Sequence, residues 1–179
     1  IVRGKNGETI HAAYVISADG ATSPTARALG PAQAAPVGAA VDVEIEVTPE
    51  VLAEEQTHAT FNLYCLPDGY GWIFPKAGYL SCGVAAWRSP KGLPAQMQTF
   101  LERSFPPGSI QAIKQYGHPV PLFAGHAAVA ARRVCLVGDA ARLVDPILGE
   151  GIYYAVKSGL LAAEVVLHLL RGVSDFEPD

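Results

Sequence analysis

The residues best suited to chemistry lie in one segment, 135–152, which reads CLVGDAARLVDPILGEGI. An apolar strand runs into Gly138 and Asp139, so a carboxylate is expected at the carboxyl end of a sheet, where ligands of open α/β sheets bind. Such a carboxylate accepts hydrogen bonds from hydroxyl groups, for example those of a ribose. Gly149 and Gly151 allow the backbone to approach a flat ligand and leave amides at a helix start that favour negative charge. The alternative is a plain strand–loop–helix connection in which Asp139 caps a turn.

Two further motifs precede this segment. Residues 15–27 read VISADGATSPTAR, a strand that again ends in an acid and a glycine, Asp19 and Gly20. By itself Ala-Asp-Gly-Ala is an ordinary turn. Residues 69–76 read GYGWIFPK, and the rings of this run share one side of a strand: Tyr70, Trp72 and Phe74. A wall of rings suits a long apolar ligand held by buried area, although an aromatic core face would show the same pattern.

The remaining pattern predicts an antiparallel sheet with helices. Strands are expected over residues 1–3, 14–17, 41–47, 59–66, 70–74, 79–87 and 134–137, the first two paired as a hairpin around the turn at 4–7. One amphipathic helix is expected to begin at Leu93 and to end near residue 106, and a second to cover 151–171. Residues 31–36 look like a connector. His118 and His126 fall in a segment containing Gly and Pro, where solvated loop histidines are expected.

Composition limits the classes of function. Half of the 179 residues are hydrophobic, 17% are charged and the net charge is −4, so a packed core is expected and nucleic-acid binding has no electrostatic basis. The three cysteines are odd in number and have no C-x-x-C spacing, which favours free thiols in a reducing compartment and no metal site. No signal peptide is visible, and the most apolar window, 159–170, is expected to be too short to span a bilayer.

Residues 138–152 resemble the second FAD motif of the flavoprotein hydroxylase-like superfamily. They are most similar to its geranylgeranyl reductase branch, which has a G-D-A-A-G-x-x-x-P-x-x-G-E-G-I pattern; Arg142 departs from it, since that branch usually has glycine there. The resemblance implies that Asp139 binds hydroxyls of the flavin side chain. It also implies that the flavin ring lies against Pro146 and the backbone around the Gly-Glu-Gly run, and it assigns to the cofactor the set Gly138, Asp139, Pro146, Gly149, Glu150, Gly151 and Ile152.

The other two motifs resemble the same branch. Residues 15–27 are similar to its Asp-Gly motif, which implies that Asp19 and Gly20 lie near the cofactor pyrophosphate, with contact through backbone or water. Residues 69–76 are similar to its Y-x-W-x-F-P-K segment, which implies that Tyr70, Trp72 and Phe74 bind substrate. The implied protein is an FAD-dependent oxidoreductase that reduces isoprenoid double bonds, with NAD(P)H or another electron donor. No residue stands out as the proton donor, so the catalytic residue is unknown.

Three other functions stay open. Within enzymes these are an FAD-dependent aromatic monooxygenase and a quinone-linked electron-transfer flavoprotein dehydrogenase. From another class comes a non-catalytic binding module that keeps the sheet without the cofactor. The aromatic run argues against the monooxygenase, and the lack of clustered cysteines in these residues argues against an iron–sulfur region.

The resemblance also divides the chain and places it in a longer protein. Residues 1–35 would be part of an FAD-binding domain, 36–131 a substrate-binding antiparallel sheet, and 132–179 a returning FAD-binding segment with Rossmann-like elements. The G-x-G-x-x-G turn that holds the FAD diphosphate does not occur in these residues. We therefore expect a fragment that is inactive and retains no FAD when isolated. A cytoplasmic location with peripheral membrane contact and an apolar prenyl substrate are expected; the oligomeric state is unknown.

Overall fold

The computed structural model describes residues 2–4, 6–30, 38–63, 65–87, 91–123, 125 and 129–172. The chain forms two compact units, one of residues 36–120 and one of residues 1–35 with 121–179. The second boundary falls at residue 120, where the last strand of the sheet ends. The sequence-based division places it at residue 131. The functional roles of the three segments stay predictions. The expected connector 31–36 and His126 lie outside the described residues.

The sheet unit, residues 36–120, contains five strands and two helices. Its elements are β4 (Gly38–Val47), α2 (Pro49–Glu55), β5 (Thr60–Asn62), β6 (Gly69–Lys76), β7 (Tyr79–Ala86), α3 (Leu93–Ser104) and β8 (Ile110–Val120). The strands lie in the order β5-β6-β7-β4-β8, each antiparallel to its neighbours. This confirms the expected antiparallel sheet with helices.

Alternation along β4 divides the sheet into two different faces. The apolar residues of the Val-Asp-Val-Glu-Ile-Glu-Val run are buried, while Asp42 and Glu44 are half-buried and Glu46 is exposed. Cross-strand partners share a face, so β7 contributes Leu80, Cys82 and Val84 to the buried side. The buried side meets the apolar stripe of α3, whose core residues are Leu93, Met97, Phe100 and Leu101. We call this side the helix face and the opposite side the open face.

Several predicted elements of the sheet unit need correction. The strand expected over 59–66 is shorter, Thr60–Asn62, since the chain leaves the sheet before Leu66 turns into the core. His118 lies in β8 and not in a loop, because the exposed edge strand tolerates the Gly and Pro beside it. The short helix α2 and most of β8 had no distinct period in the sequence, and both were missed.

The other unit contains the flanking segments. Its strands are β1 (Val2–Arg3), β2 (Thr9–Ile10), β3 (Val15–Ser17), β9 (Ala130–Ala131) and β10 (Val134–Leu136), and its helices are α1 (Pro24–Leu29), a 3₁₀ turn (Gly138–Ala141) and α4 (Ile152–Leu170). The expected pairing of strand 1–3 with strand 14–17 as a hairpin was wrong. β1 pairs with β2, and β3 instead joins a three-stranded sheet in the order β3-β10-β9.

Helix α4 is longer than the apolar window predicted from the sequence. It has 19 residues with a mean hydropathy of 1.3, and by length and composition it could cross a membrane, which corrects the expectation that it is too short. The membrane-spanning criterion uses length and composition alone, and the core helices of soluble proteins also meet it. Many of its apolar side chains are exposed in the described residues, among them Ile152, Val156 and Leu160.

We predict that Ile45→Ala lowers the free energy of unfolding of the sheet unit by about 2–5 kcal/mol, because a fully buried side chain leaves a cavity. Ile45 is 0% exposed, whereas Ile113, its partner on β8, is 50% exposed. Ile113→Ala is therefore the matched control, with an expected loss below about 1 kcal/mol. Urea denaturation followed by tryptophan fluorescence measures both, because Trp72 and Trp87 belong to this unit. Equal losses would show that the core extends over β8.

Candidate functional site

Two carboxylates follow the ends of two neighbouring parallel strands. β3 and β10 pair in parallel with Ser17 opposite Leu136, and the Val137 amide extends the pairing by donating to the Ser17 carbonyl at 3.0 Å. Asp19 and Asp139 come directly after these strands. Because parallel strands end at the same edge, the structure brings the two predicted acids to one edge of the sheet, although they are far apart in sequence.

The carboxylate of Asp19 is engaged within the protein. The Ser17 hydroxyl donates to Oδ1 at 2.7 Å, and the Thr25 amide at the start of α1 donates to Oδ2 at 3.1 Å. Burial acts to raise the pKa of Asp19, but hydrogen bonds from Ser23, Ser17 and Thr25 together outweigh burial and hold this pKa well below its usual range. Asp19 is thus an ionised residue that caps a helix.

The hydrogen bonds of the Asp19 carboxylate limit which groups of the Asp-Gly motif can contact a ligand. Ser23 caps α1 as well, since its hydroxyl accepts from the Ala26 amide at 2.8 Å. Gly20 has φ +77°, in the left-handed region that favours glycine. With its side chain turned towards α1, Asp19 can meet a ligand through the surrounding backbone or through water, the kind of contact that the resemblance implies.

Asp139 has the opposite environment. It is half-buried, and burial raises the pKa of its carboxyl group. In the part of the chain that the structure describes, no side-chain hydrogen bond is recorded for it. It lies beside the start of α4, where a Cβ on Gly151 would be 3.5 Å from Asp139 Oδ1. A partly desolvated carboxylate without a recorded donor is suited to the hydroxyl groups of a ligand.

Gly138 has a structural role. Its φ is +53°, and a Cβ there would lie 3.0 Å from that of Ala155, so glycine permits close packing of the 3₁₀ turn on α4. Its amide donates to the Ser158 hydroxyl at 2.9 Å and is not available to a ligand. Arg142, which ends the 3₁₀ turn, has φ +57°, a left-handed conformation that accounts for the glycine usual at this position in the resembled pattern.

Asp145 organises the loop before α4, and the sequence analysis missed it. Its Oδ1 accepts from the amides of Ile147 at 2.9 Å and Leu148 at 2.7 Å. Its own backbone bonds with the end of the loop, accepting from the Gly149 amide at 3.0 Å and donating to the Glu150 carbonyl at 2.8 Å. The available signal was the Asp-Pro pair, because an aspartate before a proline commonly starts such a turn.

The Gly-Glu-Gly run presents backbone to its surroundings. The carboxylate of Glu150 accepts from the Tyr153 amide at 2.8 Å and so caps α4. Gly149 has φ +69°, as a left-handed turn requires. Gly151 packs closely on Val144, with 3.2 Å between a Cβ there and Cγ2 of Val144. Within the described residues no acceptor is recorded for the amides of Glu150 and Gly151, which leaves donors for a ligand at a helix start.

The rest of the loop is apolar and exposed. Pro146 is exposed, and its neighbours Ile147 and Leu148 are 74% and 55% exposed. Ile152, which the resemblance assigns to the cofactor, is 81% exposed. Beside Asp139 and the amides of the Gly-Glu-Gly run, these surfaces give the edge both the polar and the apolar character that a flavin requires. The residues fit that group.

The predicted aromatic residues lie on the open face of the sheet unit. Tyr70, Trp72 and Phe74 are half-buried and occupy alternate positions of β6, opposite to the side of Ile73, which faces the helix core. Two further rings that the sequence analysis did not assign join them: Phe61 is 5.1 Å from Phe74 and Trp87 is 5.8 Å from Tyr70, centroid to centroid. We call these five residues the ring cluster; they are Phe61, Tyr70, Trp72, Phe74 and Trp87.

Gly83 allows the ring cluster to lie flat on the sheet. A Cβ on Gly83 would be 1.9 Å from the Trp72 indole, so the indole rests directly on the backbone of β7. The Trp72 and Phe74 rings are nearly parallel, at 29° with 6.2 Å between centroids. Any side chain at position 83 would lift Trp72 from the sheet. The open face is thus an aromatic surface and not the helix-packed core.

The thiols are not suited to chemistry. Burial, followed by the charges of Glu55 and Asp42, raises the pKa of Cys82 to about 12. Cys65 and Cys135 are half-buried, and burial raises both pKa values. All three are free. The described ranges hold no group of three or more His, Cys, Asp or Glu that could bind a metal ion.

Comparison with known proteins defines the class first. The model of the FAD binding domain family matches residues 1–176, and the chain belongs to this family of FAD-dependent proteins. The crystal structure of a geranylgeranyl bacteriochlorophyll reductase-like protein from Thermoplasma acidophilum is similar, with a TM-score of 0.71 and 28% identity over 89% of this chain and 42% of that one. A flavin-dependent halogenase from Brevundimonas, 14% identical with a TM-score of 0.62, shares the fold alone.

The relatives then narrow the class. The chain is 32% identical, over 90% of its length, to digeranylgeranylglycerophospholipid reductase of Methanosphaerula palustris, and 36% identical, over 88%, to that of Methanothrix thermoacetophila. It is 31% identical to the chloroplastic geranylgeranyl diphosphate reductase of rice, over 92% of its length. This confirms the resemblance. The chain spans 42%, 41% and 36% of these relatives' lengths. The chain is therefore a member of the FAD binding domain family that is similar to part of these reductases.

We predict that Asp19→Ala weakens α1 by about 1 kcal/mol at neutral pH, because the Thr25 amide loses its acceptor. The folded-state pKa lies below the unfolded value of 3.8, so the stabilisation is present above that pH and is lost as the pH falls further. Hydrogen exchange of the α1 amides at several pH values measures it. Asp19→Asn, which still accepts but cannot titrate, is the control. A difference that persists unchanged in acid would contradict the ionised cap.

We also predict that Asp139→Ala raises the dissociation constant for FAD roughly 10- to 150-fold, because hydrogen bonds to a charged group contribute about 1.5–3 kcal/mol each. The measurement is fluorescence titration of a form of the protein long enough to bind FAD. Glu164→Ala, at an exposed acid on α4, is the control and should leave the constant unchanged. An unchanged constant for a folded Asp139→Ala variant would make Asp139 a turn residue only.

Proposed function

We propose that this chain is part of an FAD-dependent reductase that acts on the double bonds of an isoprenoid chain. In this proposal residues 1–35 and 121–179 are pieces of a Rossmann-like FAD domain, and the sheet unit holds the prenyl chain on the ring cluster. When bound, the reduced flavin would supply the hydride. An apolar lipid substrate would also bring a cytoplasmic protein into peripheral contact with a membrane.

The ring cluster is the observation that carries the proposal. A core role would place these rings against α3, but Tyr70, Trp72 and Phe74 lie on the other face and remain half-exposed. An exposed aromatic patch on a sheet that already has a helix-packed core needs another partner. A prenyl chain offers no hydrogen bonds and is bound through buried apolar area, which an extended row of rings provides.

The cofactor part of the proposal rests on the edge formed by β3 and β10. Asp139 is a half-buried carboxylate without a recorded donor, and the amides of Glu150 and Gly151 are without a recorded acceptor in the described residues. These groups match the hydroxyls and the electron-rich ring edge of a flavin. Asp19 would contribute through backbone or water, because its carboxylate is occupied by Ser17 and Thr25.

The alternatives make different demands on the same surfaces. A quinone-linked dehydrogenase would also use the flavin and could hold the apolar tail of its quinone on the same rings. The compound that reoxidises the flavin, and not the ring cluster, therefore separates it from the reductase. An aromatic monooxygenase would bind a compact ring, for which a row of five rings is longer than needed. A non-catalytic module would have no reason to keep at the edge a half-buried carboxylate for which the described residues provide no side-chain hydrogen bond.

We predict that Trp72→Ala raises KM for a prenyl substrate about tenfold or more and leaves flavin binding almost intact, because the indole rests on the open face. Reoxidation of the reduced flavin by a prenyl diphosphate or a prenylated lipid, in a form of the protein that carries FAD, is the activity to measure. Ile73→Ala is the matched control, since Ile73 is the next residue on β6 and faces the helix core at 4% exposure.

The two variants separate binding from stability. Ile73→Ala should lower the melting temperature more than Trp72→Ala and change KM little, although it removes fewer atoms. A large drop in melting temperature for Trp72→Ala with unchanged KM would show that the ring cluster is only a packing surface. Fast reoxidation by quinone with none by any prenyl compound would favour the electron-transfer alternative.

A further inference from the structure

Helix α4 has one apolar side that the described residues leave uncovered. Residues at spacings of three and four along a helix fall on the same side, and in α4 one such row is apolar throughout. Its large side chains are between 50% and 81% exposed, and its one small residue, Ala163, is exposed as well. We call this side the outer stripe; its members are Ile152, Val156, Leu160, Ala163, Leu167 and Leu170. An exposed apolar row about five turns long indicates a contact surface.

A different side of α4 already has its partner. The Ser158 hydroxyl accepts from the Gly138 amide at 2.9 Å, and a Cβ on Gly138 would lie 3.0 Å from that of Ala155. Ala162, one turn after Ser158, is buried. These small side chains bring α4 close to the 3₁₀ turn. The helix is therefore held in its unit by one side, and the outer stripe stays free for a second contact.

The charges of α4 favour a protein partner over a membrane. Lys157 and Glu164 lie within the helix, and ionised side chains are costly inside a bilayer, so a spanning role is disfavoured. Helices that lie on a membrane surface are rich in Lys and Arg beside their apolar stripe. In α4 the two cations, Lys157 and Arg171, are spread over four turns with Glu164 between them. That border lacks the dense positive charge of a membrane-binding helix.

The size of the outer stripe favours a segment of the same protein over a second copy of the chain. The 19 residues of α4 span about 28 Å, and a helix is about 10 Å wide, so the stripe covers roughly 300 Å². Stable complexes bury about 800 Å² on each partner. A segment joined covalently needs less area, because the translational freedom that association costs is already lost.

The relatives show that such a segment is available in proteins of this kind. The chain spans 42%, 41% and 36% of the lengths of three reductases to which it is similar, so more than half of each relative lies outside the matched part. We propose that the outer stripe is the docking surface for a segment of the same protein outside these 179 residues, which makes α4 a core helix of the complete FAD domain. The inference rests on one part of the proposed function, that the chain is a piece of a longer FAD-binding protein.

The test places a charge in the middle of the outer stripe, in a form of the protein long enough to bind FAD. Leu160 is 65% exposed in the chain described here, so an uncovered stripe would tolerate Leu160→Lys with a change in melting temperature below about 2 °C. A docked segment would bury the new charge. We therefore expect Leu160→Lys to lower the melting temperature by about 5 °C or more.

Matched variants assign the effect to the outer stripe. Glu164→Lys introduces the same side chain four residues further along α4, at an exposed position on its polar side, and should change the melting temperature by less than about 2 °C. If Leu160→Lys prevents folding, Leu160→Ala replaces it, with an expected loss of about 3 °C or more and Glu164→Ala as its control. Equal, small effects at positions 160 and 164 would overturn the inference.

Two further measurements on the same form identify the other partners. If Leu160→Lys leaves melting unchanged but abolishes binding to vesicles of phosphatidylcholine and phosphatidylglycerol, the outer stripe contacts a membrane and the inference is wrong. If it leaves melting unchanged but converts a dimer into a monomer in analytical ultracentrifugation, the partner is a second copy and the inference is again wrong.

The inference and the proposed function can fail separately, because melting requires no substrate. A form that is destabilised by Leu160→Lys as expected but reduces no prenyl compound would refute the reductase and support the docking surface. A form that reduces a prenyl compound and melts unchanged with either substitution of Leu160 would refute the docking surface alone.

Discussion

The parallel pairing of β3 with β10 is the constraint on which the arrangement of the candidate FAD site depends. The two strands come from opposite ends of the chain, and three residues of each are enough to align Ser17 with Leu136. Once they are paired, the acids that follow them must emerge at one edge. Their environments then differ: Asp19 accepts hydrogen bonds from neighbouring residues and stabilises α1, whereas Asp139 is half-buried and burial raises the pKa of its carboxyl group.

In the sheet unit, the alternation of side chains along each strand determines the character of the two faces. Period-two patterning on β4, β6 and β7 sends aliphatic residues to α3 and rings to the other side. The helix-packed core and the aromatic surface therefore lie on opposite faces of the same strands. Gly83 allows the Trp72 indole to lie flat on β7, because any side chain at position 83 would occupy the space of the ring.

Features that depend on neighbouring residues could be predicted from the sequence, whereas features that depend on distant residues could not. The strand over 41–47, the shared side of the three rings and the acid at each strand end depend on neighbouring residues, and the residue pattern alone indicates them. The partner of β3 is more than a hundred residues away, and local turn signals at 4–7 favoured a nearer strand. β8 is exposed on both faces and has no apolar period, so nothing marked His118 as part of a strand. Asp145 accepts two loop amides through its side chain, and the Asp-Pro pair that marks such a turn lies inside the longer motif and was not singled out.

The Tyr153 amide donates to the Glu150 carboxylate, and this capping bond has a consequence for how the sequence can change during evolution. The glutamate turns inwards to α4, so the run of Gly149 to Gly151 shows its surroundings mainly peptide groups, which every amino acid shares. Recognition by peptide groups is indifferent to the identity of side chains nearby. Substitution of an exposed residue outside this run would therefore leave the peptide surface of residues 149–151 unaltered. The few residues that set the path of the chain, such as Asp145, have little freedom to vary.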